Sequence, residues 1–340
     1  MKWKFYSLAF VAGMSILTAC SSDDNNDNDG NGGNGNGNEI ENGTILKGTI
    51  TSDVTLAAGN TYKLSGEYIV EEGATLHIEE GVKIIAVYDD IADYILVKQG
   101  GKINAVGTPD KPIVMTSEKE EPGAWGGIHI CGRAHTNAEG GKGSSEIGGA
   151  VYGGNDDADN SGTLQYIRLE YTGFAFDEEH EANGISFYGV GNGTIVDHCQ
   201  AYKGSDDGFE FFGGSVNVSN LVAVSCSDDS FDWTEGWNGK GTNLVAYQEA
   251  ESTLGYDCDC LMECDNNGSN NAATPVAHPV LKNLILVGNG GSKQGIRLRA
   301  GTEVEIDNAK VCGKGQPLTV ETALTENALK NGTSKLTNIT

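Results

Sequence analysis

Two acidic segments of nearly the same sequence follow one another closely in this chain of 340 residues. SDDGFEFFGG occupies positions 205–214, SDDSFDWTEG occupies 227–236, and a weaker copy, DCLMECDNNG, follows at 259–268. Grouped carboxylates can bind Ca²⁺, whose ligands in proteins are oxygen atoms, and a carboxyl beside like charges can keep its proton and act as a general acid. The repeated acidic positions are therefore candidate calcium ligands: Asp206, Glu210, Asp228, Asp232, Asp259 and Glu263.

Short β-strands are predicted to position these carboxylates. From Thr44 onward, short runs rich in Ile, Val, Leu and Thr alternate with Gly, Asp and Asn, as in GTILKGTI, ATLHIEEGVKIIA and KPIVMTS. Such runs are typical of strands bounded by turns. The one helical pattern is weak and lies in VETALTENALKNG near the C-terminus. The predicted fold class is all-β.

The spacing of the acidic segments selects one all-β architecture. Aligning Val196 with Val218 pairs VDHCQAYKGSDDGFEFFGG with VSNLVAVSCSDDSFDWTEG without a gap. A repeat of about 22 residues that holds two or three short strands and cannot bury its own apolar face is typical of a β-solenoid coil. We predict a right-handed parallel β-helix with loop insertions. Its N-terminal cap and first coils are expected at 44–118, further coils at 119–313, and a C-terminal cap or tail at 314–340.

Strand alternation assigns the residues of these coils to two faces. The side chains predicted to point into the coil are Ile185, Phe187, Phe209, Phe211, Phe231, Trp233, Met262, Cys264, Ile296 and Leu298. The residues between them must point outward and form one column: Ser186, Glu210, Asp232, Glu263 and Arg297. Like charges stacked on neighbouring strands are unfavourable unless something compensates for them.

Four interpretations of this acidic column stay open at the level of the sequence. Bound Ca²⁺ would relieve the repulsion, and so would a raised pKa that keeps one carboxyl neutral. Lys293 and Arg297 of the next coil could instead neutralise it. In the simplest interpretation the column is a solvated face, and the Asp-Asp pairs are turn formers that hydrogen-bond to their own backbone.

Several motifs resemble those of a known family. GAWGGIHICGRA, GTLQYIRLEYTG and the pair SDDGFEFFGG and SDDSFDWTEGWNGK look like segments of secreted and lipoprotein β-helix proteins of Bacteroidetes, which share the pectin-lyase-like architecture. The resemblance covers most of the chain from about Thr44 to Gly313. It implies the fold and an extracytoplasmic location, and it implies no particular activity.

Two further residues are candidate ligand-binding side chains. His129 is predicted to point outward from the equivalent strand of an earlier coil, and Trp237 falls in the loop GWNGKG, where an exposed ring could stack on a sugar. The alternatives are an ordinary surface or locally paired histidine and a tryptophan that caps the core.

The N-terminal segment has the features of a lipoprotein leader. MKWKFYSLAFVAGMSILTAC has a basic start, a short apolar core and a small-residue exit, which are typical of a secretory signal peptide. LTAC resembles the lipobox of bacterial lipoproteins, which implies removal of 1–19 and attachment of palmitate and other lipid at Cys20. The segment 20–43 is rich in Asn, Gly and Asp and is predicted to be a flexible tether. Its SSDD resembles the export signal of surface lipoproteins, which implies an outer-membrane, surface-exposed protein.

Charge and cysteine content narrow the function classes. The formal net charge is −26, so the electrostatic field disfavours nucleic acid and anionic membrane surfaces and attracts cations. Seven cysteines remain besides Cys20, an odd number, and we expect disulfides or buried thiols, with at least one thiol unpaired. The spacing in CDCLMEC does not match a structural zinc site.

Three functions fit these features. The preferred one is a surface lipoprotein whose β-helix binds an extracellular ligand, above all a glycan, together with Ca²⁺. The alternative is a calcium-dependent polysaccharide lyase or hydrolase, with Lys293 or Arg297 as the candidate base of a lyase. A structural spacer or adhesin is the third.

Overall fold

The computed structural model describes residues 38–89, 91–176 and 180–340. The predicted signal peptide at 1–19, the lipidation site Cys20 and most of the tether lie outside the described residues. No helix in the described part of the chain is long and apolar enough to cross a membrane.

Short strands dominate the described chain, as the alternating runs predict. In chain order they are β1 (Asn38–Ile40), β2 (Ile45–Ile50), β3 (Val54–Leu56), β4 (Thr61–Val70), β5 (Thr75–Ile78), β6 (Lys83–Ala86), β7 (Tyr94–Val97), β8 (Lys102–Val106), β9 (Ile113–Ser117), β10 (Ile128–Cys131), β11 (Gly143–Ser144), β12 (Val151–Tyr152), β13 (Gly162–Glu170), β14 (Ile185–Tyr188), β15 (Ile195–Tyr202), β16 (Phe209–Phe212), β17 (Asn217–Ser219), β18 (Val222–Val224), β19 (Phe231–Thr234), β20 (Lys240–Tyr247), β21 (Met262–Cys264), β22 (Val280–Val287), β23 (Gln294–Leu298), β24 (Glu305–Cys312), β25 (Gln316–Val320) and β26 (Lys335–Ile339). Two α-helices, α1 (Glu251–Leu254) and α2 (Ala323–Asn331), and a 3₁₀ turn at Glu139–Gly141 interrupt them.

All strands except β11 and β12 stack as three parallel sheets. Sheet A contains β1, β3, β5, β8 and β17, and sheet B contains the N-terminal ends of β2 and β4 together with β6, β9 and β18; β13, β15, β20, β22, β24 and β26 run through both. Sheet C contains β7, β10, β14, β16, β19, β21, β23 and β25, and it also takes the C-terminal ends of β2 and β4. The predicted right-handed parallel β-helix is confirmed.

The inside of the coil is filled by the apolar side chains that strand alternation predicts to point inward. All ten of them belong to one buried core. Rings of successive coils stack face to face: Phe187 lies 5.0 Å from Phe211 and Phe209 lies 5.6 Å from Phe231, measured between ring centroids. Each coil therefore buries its apolar face against its neighbours, which explains why the repeat is stable only when it is stacked.

A ladder of asparagines marks the corner between sheets A and B. Asn220, Asn243, Asn283 and Asn308 all have a positive φ, which asparagine tolerates better than most residues. Each of the last three donates its side-chain N–H to the side-chain oxygen of the asparagine one coil earlier, at 2.8 to 3.0 Å. The ladder keeps successive coils in register.

The C-terminal segment 314–340 continues the coil. β25 extends sheet C, β26 extends sheets A and B, and α2 lies between them. Helix α2 buries Thr325 and Ala328, and Leu329 packs against the core. Helix α2 thus adds contacts to the core beside β25 and β26.

Candidate functional site

One outward column of sheet C carries the acidic residues identified in the sequence. Direct register along the sheet places in this column, in order, Leu96, His129, Ser186, Glu210, Asp232, Glu263 and Arg297. The predicted stacking of the column is confirmed. Its like charges lie on adjacent strands and need compensation.

A long loop between β10 and β13 covers the N-terminal half of this face. The loop carries the antiparallel hairpin of β11 and β12 and forms a second apolar cluster on the outside of sheet C. Members of that cluster are Tyr94, Leu96, Ile147, Ala150, Tyr152, Tyr188 and Phe212. Ser186 is completely buried there. A fully solvated face is therefore wrong for this half of the column.

His129 does not lie on the surface. It is 0% exposed, and its ring lies 6.1 Å from that of Tyr94 and 6.3 Å from that of Tyr188. Its Nε2 donates to the carbonyl oxygen of Gly126 at 2.6 Å, and burial lowers the pKa of the ring to about 4. The prediction of an accessible ligand-binding histidine is wrong, because the covering loop fills the space outside this strand.

Trp237 is also buried, at 1% exposure. Its ring stacks on Phe211 with 4.2 Å between centroids, and its Nε1 donates to the carbonyl oxygen of Val216. Trp237 therefore caps the core, and the prediction that it presents a ring to sugars is wrong.

The second aspartate of each Asp-Asp pair lies in a buried turn ladder. The backbone N–H of Asp229 donates to Oδ1 of Asp207 at 2.8 Å, and the backbone N–H of Cys260 donates to Oδ1 of Asp229 at 2.6 Å. Asp207 and Asp229 are 5% and 4% exposed. Sequence reasoning singled out the first aspartate of each pair and missed the second. The sequence did carry a signal for the second aspartate, because both residues of the Asp-Asp pair recur in the repeat.

The buried aspartate ladder and the outward column converge. Carboxylate oxygens of Asp207, Glu210 and Asp232 all lie within 4.8 Å of one another, and so do those of Asp229, Asp232 and Glu263. Asp206, Asp207 and Asp228 form a further group. We call the central part of this region the acidic site and define it as Asp206, Asp207, Glu210, Asp228, Asp229 and Asp232.

Basic residues of later coils neutralise the C-terminal end of the column. Arg297 donates from Nη1 to Glu263 at 2.8 Å and from Nε to Glu321 at 3.0 Å. Lys293 pairs with Asp259 at 2.5 Å. The predicted compensation by Lys293 and Arg297 therefore operates at Glu263 and Asp259, outside the acidic site.

Arg299, which the sequence analysis did not single out, completes this charge network. It contacts Glu263 and also donates from Nε to Oδ1 of Asp265 at 2.7 Å. Both carboxylates are largely buried, so their charges are compensated by protein groups and leave little for an external cation.

No described Lys, Arg or His side chain forms an ion pair with a carboxylate of the acidic site. Burial, followed by the repulsion of neighbouring carboxylates, raises the pKa of Asp207, Glu210 and Asp232 well above the usual range. The pKa of Asp206 rises to about 8 through burial and the charge of Asp228. Without a bound cation, burial and mutual repulsion therefore favour the protonated form of these carboxyls.

Two buried oxygen atoms at the acidic site have no hydrogen-bond partner among the described residues. One is Oδ1 of Asp232, and the other is Oδ1 of Asn183, a side chain that is 1% exposed. Nδ2 of Asn183 donates to Oε2 of Glu210 at 2.6 Å and to Oγ of Ser186 at 3.0 Å, which holds the amide beside the carboxylates. Orphaned amide and carboxylate oxygens beside an acidic cluster match the oxygen ligands that Ca²⁺ prefers. The donor set therefore fits a calcium ion.

Glu146 is a further carboxyl that sequence reasoning missed. It lies between β11 and β12 and accepts a hydrogen bond from the hydroxyl of Tyr188 at 3.2 Å. Burial raises its pKa to about 7, and the charge of Glu235 adds to the shift. The loop that carries Glu146 has no counterpart in the repeat, so its position over sheet C could not be derived from the period.

Two solved structures show a weak similarity to this chain. The structure is similar to the catalytic domain of a GH87 α-1,3-glucanase variant in complex with tetrasaccharides, at 12% identity and a TM-score of 0.29 over 78% of this chain and 64% of that one. It is also similar to the Dettilon tailspike protein, at 9% identity and a TM-score of 0.27 over 80% of this chain and 62% of that one. The chain thus spans less than two thirds of either structure.

The sequence itself was compared with curated proteins and with family models. No curated protein matches it. Residues 48–340 match the family described as pectate-lyase-like beta helix domain. With three parallel sheets wound into one coil and a family match over most of its length, the chain belongs to the pectate-lyase-like β-helix domain family.

Proposed function

We propose that the protein binds or processes a carbohydrate on the outer face of sheet C, and that Ca²⁺ held by the acidic site takes part in recognising it. The observation that carries the proposal is the convergence of Asp207, Glu210 and Asp232 beside the orphaned Oδ1 of Asn183. Carboxylates alone repel an acidic sugar, whereas the same carboxylates with a bound divalent cation attract it.

Four of the ligands predicted from the sequence remain central to this proposal. Glu210 and Asp232 supply half-buried carboxylates, and Asp206 lies with Asp207 and Asp228 at the turn into the same strands. Asp259 and Glu263 are less suitable, because Lys293, Arg297 and Arg299 already neutralise them. The bound cation would neutralise a carboxylate of the sugar, and the protein residues would orient it.

A polysaccharide hydrolase is the enzymatic alternative that one observation favours. With a pKa of about 7, Glu146 is partly protonated at neutral pH, as a general acid must be to donate a proton to a leaving glycosidic oxygen. The charge of Glu146 contributes to the raised pKa of Glu210, so the two carboxyls are close enough to interact. Glu146 would be the acid and Glu210 the second carboxyl of the pair.

A calcium-dependent lyase is less well supported by the same geometry. Its base would be Lys293 or Arg297, and a base must lose its proton before it can accept one. Hydrogen bonds and ion pairs with Asp259, Glu263 and Glu321 raise the pKa of both side chains and hold them in the charged form.

The experiment that tests the proposal is a binding assay with acidic polysaccharides. Polygalacturonate and alginate are titrated into the protein in Ca²⁺ and in chelator, while ultraviolet absorbance follows unsaturated lyase products and a reducing-end assay follows hydrolysis. We expect binding in Ca²⁺ that chelator and Glu210→Gln both abolish and that Glu326→Gln, on the exposed face of α2, leaves intact. Binding that is indifferent to chelator would remove Ca²⁺ from the proposal, and no binding at all would favour a spacer or adhesin.

We also propose that the protein is a lipoprotein of the outer-membrane surface. The support is the LTAC sequence that ends in Cys20 and the acidic tether that follows it. Radiolabelled palmitate should be incorporated into the native protein and not into Cys20→Ala. Protease added to intact cells should remove the native protein, and survival of the protein until the cells are lysed would contradict surface exposure.

A further inference from the structure

A polar cleft of about 700 Å³ opens beside the acidic site at the end of β19. Thr234 and Glu235 form one side, and residues 137–139 and 267–270 form the others. Thr234 lies two positions after Asp232 on the same outward face of β19, which separates the two side chains by about 7 Å. A sugar chain bound at the acidic site could therefore extend into the cleft.

The floor of the cleft is held rigidly by amide groups. Nδ2 of Asn137 donates to Oδ1 of Asn266 at 2.8 Å, and Oδ1 of Asn137 accepts from Nδ2 of Asn267 at 3.0 Å. Oδ1 of Asn267 in turn accepts the backbone N–H groups of Ser269 and Asn270. Because these links join two loops far apart in sequence, the cleft is preformed, and a ligand would lose little free energy in ordering it.

Glu235 is fixed in the wall of the cleft by two hydroxyl groups. Oε2 of Glu235 accepts from the hydroxyl of Tyr152 and from that of Thr136, each at 2.7 Å. Oε1 of Glu235, the Ser269 hydroxyl and Nδ2 of Asn270 belong to lining residues, and none of the three atoms forms a hydrogen bond with a described residue. These groups supply an acceptor and donors at the mouth of the cleft.

The charge of the lining determines which ligand the cleft suits. The residues that line the cleft include Glu139 and Glu235 and no Lys, Arg or His. A second acidic sugar would be repelled here, whereas the paired hydroxyls of an uncharged ring can donate to a carboxylate and accept from an amide.

We propose that this cleft is a subsite for an uncharged sugar residue, next to the acidic sugar held at the acidic site. The proposal rests on the proposed function and specifies its ligand as a polysaccharide that contains both acidic and neutral residues. Neutral sugars should occupy the cleft with or without Ca²⁺, since the cation belongs to the neighbouring site.

Gly268 offers a way to fill the cleft without straining the backbone. Its φ lies outside the left-handed region, and a Cβ there would approach only Oδ2 of Asp265, at 3.9 Å. Gly268→Tyr should therefore fold and occupy the cleft. Ser252→Tyr, on exposed helix α1 outside the lining, is the matched control.

Saturation-transfer NMR with neutral tetrasaccharides of glucose, mannose and galactose tests the proposal. We expect at least one of them to bind in chelator, with a Kd that Gly268→Tyr raises about tenfold or more and that Ser252→Tyr leaves unchanged. Equal binding by Gly268→Tyr and the native protein, or no binding of any neutral probe, would overturn the subsite.

Titration of polygalacturonate in Ca²⁺ on the same samples distinguishes a failure of the subsite proposal from a failure of the proposed function. Loss of the neutral subsite leaves calcium-dependent binding of the acidic polymer intact. Failure of the acidic site leaves neutral binding intact.

Discussion

Glu210 and Asp232 lie side by side in direct register on β16 and β19, two half-buried carboxylates of successive coils with oxygen atoms less than 4.8 Å apart. A parallel β-helix repeats this kind of contact wherever its period repeats a residue type, so a doubled acidic motif necessarily becomes a stack of like charges. At the next position, Glu263, arginines compensate the charge. Glu210 and Asp232 form no ion pair with a described Lys or Arg side chain, so protons or an external cation are left to supply most of the compensation.

Calcium should stabilise the protein through this pair. At a Ca²⁺ concentration of 100 times Kd, the free energy of unfolding should rise by about 3 kcal/mol, and Asp232→Asn should remove most of that gain. In chelator Asp232→Asn should melt no lower than the native protein, because one of the repelling charges is gone. Differential scanning calorimetry in Ca²⁺, Mg²⁺ and chelator measures both effects, with Glu326→Gln as the control. Coincident native curves in Ca²⁺ and chelator would refute cation binding.

Asp93 should make stability depend on pH at a position remote from the acidic site. Asp93 is 1% exposed, and its Oδ1 accepts a hydrogen bond from the backbone N–H of Gly66. Its Oδ2 has no hydrogen-bond partner among the described residues. Burial raises the pKa of this carboxyl to about 6. The carboxyl of Asp93 ionises near pH 4 in the unfolded chain and near pH 6 in the folded protein. The native protein is therefore fully stable with respect to this group below pH 4 and loses about 3 kcal/mol as the pH rises through 6.

Asp93→Asn provides the measurement of that loss. The amide keeps an acceptor for Gly66 and cannot ionise, so the variant should lack this part of the decline and be the more stable protein at pH 7. Asn183 occupies the corresponding turn of a later coil, which indicates that the turn accepts an amide. Urea denaturation at pH 4 and pH 7 gives the comparison, and parallel declines in both proteins would contradict the assignment.

Arg299 should be a strong contributor to stability among the ion-paired side chains. It contacts Glu263 and Asp265, whose side chains are 13% and 8% exposed, so Arg299→Met leaves two buried carboxylates without that partner. We expect the free energy of unfolding to fall by about 3 kcal/mol. Lys330→Met breaks the exposed pair with Glu326 and should cost no more than about 0.5 kcal/mol. Equal effects in urea denaturation would show that Arg299 is only a surface charge.

The sequence predicts register and side-chain orientation correctly wherever the repeat applies. Register between Glu210 and Asp232, and the inward position of Phe209 and Trp233, follow from strand alternation and a gapless alignment. The loop between β10 and β13 has no counterpart in the repeat, and for this reason neither the burial of His129 nor the position of Glu146 was predictable. Trp237 packs into the core from a corner, where strand alternation does not apply.

The cysteines should behave as buried thiols. Within the described chain all seven are free, and six of them are buried. Burial raises the pKa of Cys131 and Cys199 to about 12 and that of Cys226 to about 11, so their reactive thiolate forms are scarce at neutral pH. In Cys20→Ala protein, Ellman's reagent at pH 8 should label one thiol, the half-exposed Cys312, and Cys312→Ser should abolish that labelling. Denaturant should then expose the other six. Labelling of fewer thiols after denaturation without reductant would reveal a disulfide, and rapid labelling of several in the native protein would show that the coil opens readily.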